Sequence, residues 1–316
     1  GFTTLIPWSH PDYPLLLPAG IAHFWTYLGH DDPAVPATIS LLFTFGTVGL
    51  LFSALSILRS RAAAMLGGLT LLTTPFFIEQ GAAQYADIPL AFFILATTVF
   101  LCVHDEDVRN GPKVHRVLVL AGLAAGFAAW TKNEGLLFLG AILAARVLVL
   151  IRLNKRVATQ PKPRREQRLD LLLLLAGVAP VFLVTAWFKH SVAPPGDLFS
   201  DSATMLHKML DPARYWAVIQ WYAKGFLRFG DWLGIPGTLL LMAWYFAAGK
   251  EKDGKSGPGF RTSLLALILT LTGYFAVYLI TPYDIYWHLR FSLPRLFLQL
   301  WPSAIFLFFW PSRLTL

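Results

Sequence analysis

Apolar runs about as long as a membrane is thick follow one another along the chain, separated by short polar clusters, and this alternation predicts its elements. Runs at 36–58, 62–78, 88–103, 117–130, 136–151, 171–188, 232–248, 262–280 and 296–310 read as nine helical spans. Several, such as 117–130 with Gly122 and Gly126, fall near or below the ~20 residues that cross a hydrocarbon core. Their polar ends should therefore be drawn into the membrane around a recessed cavity. Residues 1–35 hold no spanning run, because Pro7, Pro11, Pro14, Pro18 and Pro33 interrupt them while Trp8, Tyr13, Phe24, Trp25 and Tyr27 supply interfacial aromatics. They predict an outer loop hugging the membrane, with a short helix at 19–28. A second interfacial helix is predicted at 213–226, inside a long polar and aromatic segment, 189–231.

Composition fixes the class. Of 316 residues, 56% are hydrophobic and 14% charged, and the mean hydropathy is +0.56, values expected of a chain made mostly for lipid. The prediction is an all-α polytopic membrane bundle forming one transmembrane domain over 1–316, with five spans in 36–151 and four in 171–316. The net charge of +8 is concentrated in loops rather than along an aromatic-interleaved face, which argues against nucleic acid as a partner. A single cysteine, Cys102, excludes an intramolecular disulfide and any cysteine metal cluster. The sequence starts at Gly1 without a basic n-region or cleavage site, so no signal peptide is expected within it.

Charge also predicts sidedness. Segment 152–170 carries Arg152, Lys155, Arg156, Lys162, Arg164, Arg165 and Arg168 against Glu166 and Asp170, the strongest positive-inside signal in the chain. With that loop cytoplasmic, alternation puts 59–61, 104–116, 250–261 and the C-terminus on the same side. It puts 1–35, 79–87, 131–134, 189–231 and 281–295 outside. Every conspicuous polar cluster beyond the basic loops then shares one face, the expectation being the exterior of a bacterial inner membrane.

Three of these outer clusters carry candidate chemistry. Lys132, Asn133 and Glu134 place a cation, an amide and an anion between two apolar runs, where charge is costly unless paired or hydrated and so points to function; a connecting turn with a snorkelling lysine is the plainer reading. Asp87 precedes a helix with Pro89 in its first turn, which is good N-cap chemistry. Facing Lys132 across a dry cleft, with Tyr85 beside it, Asp87 would also serve as a general base. His288, Arg290 and Arg295 gather at the outer mouth of the last span, where arginine suits phosphate recognition and snorkelling to lipid headgroups is the alternative.

Two further stretches are weaker. His10-Pro11-Asp12 is a rigid turn with two titratable groups. Asp31-Asp32-Pro33 is a turn or cap that would also suit a divalent cation. No Gly-rich phosphate loop, zinc-protease helix or hydrolase elbow occurs, so nucleotide-dependent chemistry is unsupported.

Together, His10 to Leu16, Tyr85-Ala86-Asp87-Ile88-Pro89-Leu90, Trp130-Thr131-Lys132-Asn133-Glu134-Gly135, and Ser292 to Arg295 with Pro302 resemble the bacterial GT-C integral membrane glycosyltransferases. These include the protein O-mannosyltransferases and the lipid A aminoarabinose transferase. The resemblance implies a sugar donor on a polyprenyl phosphate, inversion at the anomeric carbon, and a glycan, lipid or protein acceptor outside the membrane. By position it makes Lys132 the donor-phosphate lysine, Asp87 the acid opening the following span, and Arg295 a phosphate-side arginine. The family's principal base lies in a first outer loop behind an initial helix; this sequence begins inside that loop, which leaves Asp12 or Asp87 for the role. Two other classes stay open: a lipid-linked oligosaccharide flippase, which would carry ionisable groups deep in its spans, and a non-catalytic membrane scaffold, whose outer clusters would not converge.

Overall fold

The computed structural model describes residues 11–110, 115–156, 164–196, 198, 202–232, 237–248 and 257–310. His10, Asp197, Asp201 and most of the two strongest basic loops lie outside them. The described residues form thirteen helices: α1 Leu16–Leu28, α2 Ala34–Leu58, α3 Arg61–Leu72, α4 Pro75–Ala82, α5 Asp87–Asn110, α6 Arg116–Thr131, α7 Asn133–Arg156, α8 Arg164–Ser191, α9 Ser202–Met209, α10 Pro212–Arg228, α11 Gly237–Ala248, α12 Pro258–Ile280 and α13 Ile285–Phe309.

Each of the nine apolar runs is helical. By length and composition α2, α5, α7, α8, α12 and α13 can cross a membrane, and α3 with α4 forms a further pair bent by 62°. α6 and α11 are shorter than a full crossing. This is an integral membrane bundle. The two predicted interfacial helices correspond to α1 and α10, the latter capped by Asp211 and opened by Pro212.

Several boundaries differ from those read in the sequence, all for one reason: helices run on past their apolar stretch. Glu79, Gln80 and Gly81 belong to α4, not to a turn. His104 and Asp105 continue α5, and Asp170 lies within α8. His288, Arg290 and Arg295 sit on the first turns of α13, where Asp284 caps the helix by accepting from the Trp287 amide at 2.8 Å.

Close crossings set the helix ends. A Cβ on Gly122 would lie 2.0 Å from the Leu174 carbonyl, and one on Gly177 would lie 2.1 Å from the Val119 carbonyl. Reciprocal glycines thus let α6 and α8 touch backbone to backbone, as small residues do between membrane helices. Gly135 does the same at the α6–α7 hinge, where a Cβ would fall 1.8 Å from the Ala128 carbonyl. That hinge folds α7 back on α6 and leaves Lys132 alone in extended backbone between them.

Candidate functional site

Asp87 is fully buried, yet its carboxylate is not spent on capping α5. Oδ1 accepts from Lys132 Nζ at 2.9 Å and from Gln299 Nε2 at 2.6 Å. Oδ2 accepts from Arg295 Nε at 2.8 Å, with a terminal guanidinium nitrogen also 2.8 Å away. Residues from the start of α5, the α6–α7 hinge and the fourth decade of α13's chain thus meet at one point. A carboxylate with this much donor density is held ionised, and the price of burial is met by charge-assisted bonds.

The cluster is shared outward. Lys132 Nζ lies 2.8 Å from Glu134 as well as bonding Asp87. Burial works against its charge, but Asp87 and Glu134 outweigh burial and hold its pKa above the ordinary lysine range. Tyr13 presents its ring 5.8 Å from Lys132 Nζ. The charge on Glu134, followed by burial, pushes the phenol up, so it stays a donor. Arg295 lies over the Tyr85 ring at 4.4 Å, and 33% of its side chain remains exposed.

A second carboxylate stands beside the first. Asn133 donates from Nδ2 to Asp12 Oδ2 at 2.7 Å. Lys189, at the end of α8, donates to the Asp12 backbone carbonyl and approaches Oδ2 at 3.8 Å. Among the described residues, Asn133 Oδ1 and Glu134 Oε2 are buried acceptors without a hydrogen-bond partner.

The structure therefore gathers Asp87, Lys132, Glu134, Asn133, Tyr85, Arg295 and Asp12. It leaves two of the predicted residues apart. His288 is half-buried against Thr281 Oγ1, 2.9 Å from its Nδ1, and against the Tyr278 ring. Arg290 is exposed and lies 5.7 Å from the Phe291 ring. His10 falls outside the described residues.

Four participants escaped sequence reading: Gln299, Tyr274, whose hydroxyl donates to Gln299 Oε1 at 2.7 Å, Tyr13 and Lys189. Gln299 had a usable signal, being one turn beyond Arg295 within an otherwise apolar run. For the divalent-cation candidate, Asp32 Oδ1 instead accepts from the Ala34 amide at 2.8 Å, a local turn at the start of α2. Among the described residues no group of three or more His, Cys, Asp or Glu side chains is arranged to hold a metal ion.

The family model for dolichyl-phosphate-mannose-protein mannosyltransferases matches residues 33–193, half of the chain and the half that supplies Asp87, Lys132 and Glu134. The chain belongs to this family. No curated protein matches the sequence. Among solved structures, this family member resembles ArnT from Cupriavidus metallidurans bound to undecaprenyl phosphate, with a TM-score of 0.53 and 16% identity. The match covers 94% of the mannosyltransferase-family chain and 49% of ArnT, so the chain spans about half the length of that protein. At this identity the likeness concerns the fold, which is that of the GT-C membrane glycosyltransferases.

Proposed function

We propose that this site moves a sugar from a polyprenyl-phosphate carrier to a hydroxyl on a glycan, lipid or protein acceptor, with inversion at the anomeric carbon. The observation that carries the reading is the convergence of Lys132 and Arg295 on Asp87 at one end of the bundle. A phosphate leaving group needs cations aimed at its oxygens, and in a site of low dielectric two fixed cations contribute far more than in water. Asp87 aligns them before substrate arrives. With both oxygens already accepting, it is better suited to organising cations than to taking a proton.

Asp12 suits the proton. The acceptor oxygen attacks the anomeric carbon from the face opposite the phosphate, the bond from that carbon to the phosphate oxygen breaks, and the polyprenyl phosphate leaves with its electron pair. The acceptor proton passes to the Asp12 carboxylate, which Asn133 orients. The unpartnered acceptors on Asn133 and Glu134 fit the hydroxyl donors of a sugar.

The positive-inside bias of the basic loops supports an external, periplasmic site. A flippase would need a polar path between the two ends of the bundle. Between Asp87 and His104, α5 offers only Thr97, Thr98 and Cys102 among apolar side chains, and Thr97 bonds its own helix at Phe93 O.

The test is binding of undecaprenyl phosphate to the purified protein in nanodiscs. Lys132→Ala should weaken binding at least 30-fold, in the range of about 2–3 kcal/mol lost with one charge-assisted contact, while the protein stays folded. Unaltered binding would remove the assignment.

A further inference from the structure

At the end of the bundle opposite Asp87, a second ionic cluster is sealed from solvent. Arg146 on α7 is 1% exposed, and its guanidinium forks onto Asp105 of α5 at 2.8 and 3.3 Å. His104, fully buried, has its Nε2 3.9 Å from Asp105 and 3.6 Å from Asp170 of α8. His115, at the start of α6, places Nδ1 3.5 Å from Asp170.

The spacing of the two clusters is what gives the second a role. Asp87 and Asp105 are about five helical turns apart, roughly 27 Å of rise, and so lie on one face of α5. Lys132 and Arg146 are separated by about four turns' worth of chain, so they also fall on a common face. α5 and α7 touch each other only marginally; α6 and α12 each pack against both. Two long cationic side chains from α7 and its hinge therefore reach across to α5, one near each end, like two rungs.

A sealed ion pair is weak evidence of stability, because desolvation consumes most of the attraction. Its best-attested use is to fix the register of packed helices. Resting on the reading of the Asp87 cluster as the site, we infer that Arg146 is a positioning residue: its fork on Asp105 locks the axial register of α7 against α5 and thereby holds Lys132 in line with Asp87. Neither residue touches the proposed substrate.

The experiment separates register from stability. Asp105→Leu with Arg146→Met replaces the pair by apolar side chains, a change that often leaves stability equal or higher. The readout is amine acylation of each lysine in the lipid-free protein, followed by mass spectrometry. In the unaltered protein Lys132 is shielded and reacts slowly. In the double variant it should react at least tenfold faster, with Lys189 on α8 unchanged and the melting temperature no lower.

Lys132 reactivity within twofold of the unaltered protein overturns the inference, and so does a parallel rise at Lys189, which would mean general loosening. Should the double variant fail to fold, Arg146→Lys decides: it keeps the charge and loses the fork, and about a threefold rise at Lys132 alone is expected, no rise being fatal. Because no lipid is present, this outcome is independent of the proposed function, whose own failure would appear as absence of undecaprenyl phosphate binding in the unaltered protein.

Discussion

Both ends of the bundle bury an aspartate against a cation, and the two pairs differ in how much they leave unspent. At the opposite end Arg146 and Asp105 satisfy each other in a closed fork. At the site end Lys132 is divided between Asp87 and Glu134, and Arg295 keeps a third of its side chain in reach of solvent. Asn133 and Glu134 hold acceptors with no partner among the described residues. A closed pair can only hold. An open cluster whose cations have more than one anion to choose from can trade one of them for an incoming phosphate without stranding a charge. Access and redundancy, rather than burial or charge alone, distinguish a site from a strut.

The largest break in this comparison is Asp87→Ala. It strips the shared anion from Lys132 and Arg295, and removing one partner from a buried ion pair costs about 3–5 kcal/mol. Denaturation of the purified protein in detergent should register that loss, and binding of undecaprenyl phosphate should fall with it, since two repelling cations no longer hold their alignment. A variant as stable as the parent would mean that the cations rearrange freely, and that Asp87 does not organise them.

How much of this was legible follows from what burial costs. Asp87, Lys132 and Arg295 stood out because formal charges beside apolar runs are expensive and therefore informative. Gln299 and Tyr274 were missed because an uncharged amide or phenol inside a span is cheap to carry once it has a partner. Lys189 was hidden in a segment already rich in polar residues. The opposite-end cluster was misassigned to loops because the sequence marks where apolar residues stop, whereas α5 and α8 continue through His104, Asp105 and Asp170 by burying them against one another. The meeting of residues 87, 132 and 295 was inferred from sidedness alone. That inference could say which helix ends lie together, but not that Arg290 and Arg295, barely more than a turn apart, would face different surroundings.

A smaller effect sharpens the picture. Gln299→Leu removes one of Asp87's donors and the acceptor of the Tyr274 hydroxyl, but leaves both cations in place. The expected cost is about 1–2 kcal/mol, that of an unsatisfied buried hydroxyl and one lost hydrogen bond. Thermal unfolding should reveal it, with undecaprenyl phosphate affinity changed by less than threefold. A collapse of affinity would instead make Gln299 a ligand in its own right.

The smallest effect belongs to Arg290, and it discriminates most finely. Sequence reading gave Arg290 and Arg295 the same phosphate role, since both are cations near the mouth of one helix. In the structure Arg295 bonds Asp87, whereas Arg290 is exposed beside Phe291. An exposed cation on this face contributes little beyond general attraction for an anionic lipid, screened within about 10 Å at 0.1 M salt. Arg290→Ala should therefore change undecaprenyl phosphate affinity less than twofold at that ionic strength, and Arg295→Ala at least tenfold. Equal losses in the two variants would show that net positive charge at the mouth governs binding, and that the convergence on Asp87 does not.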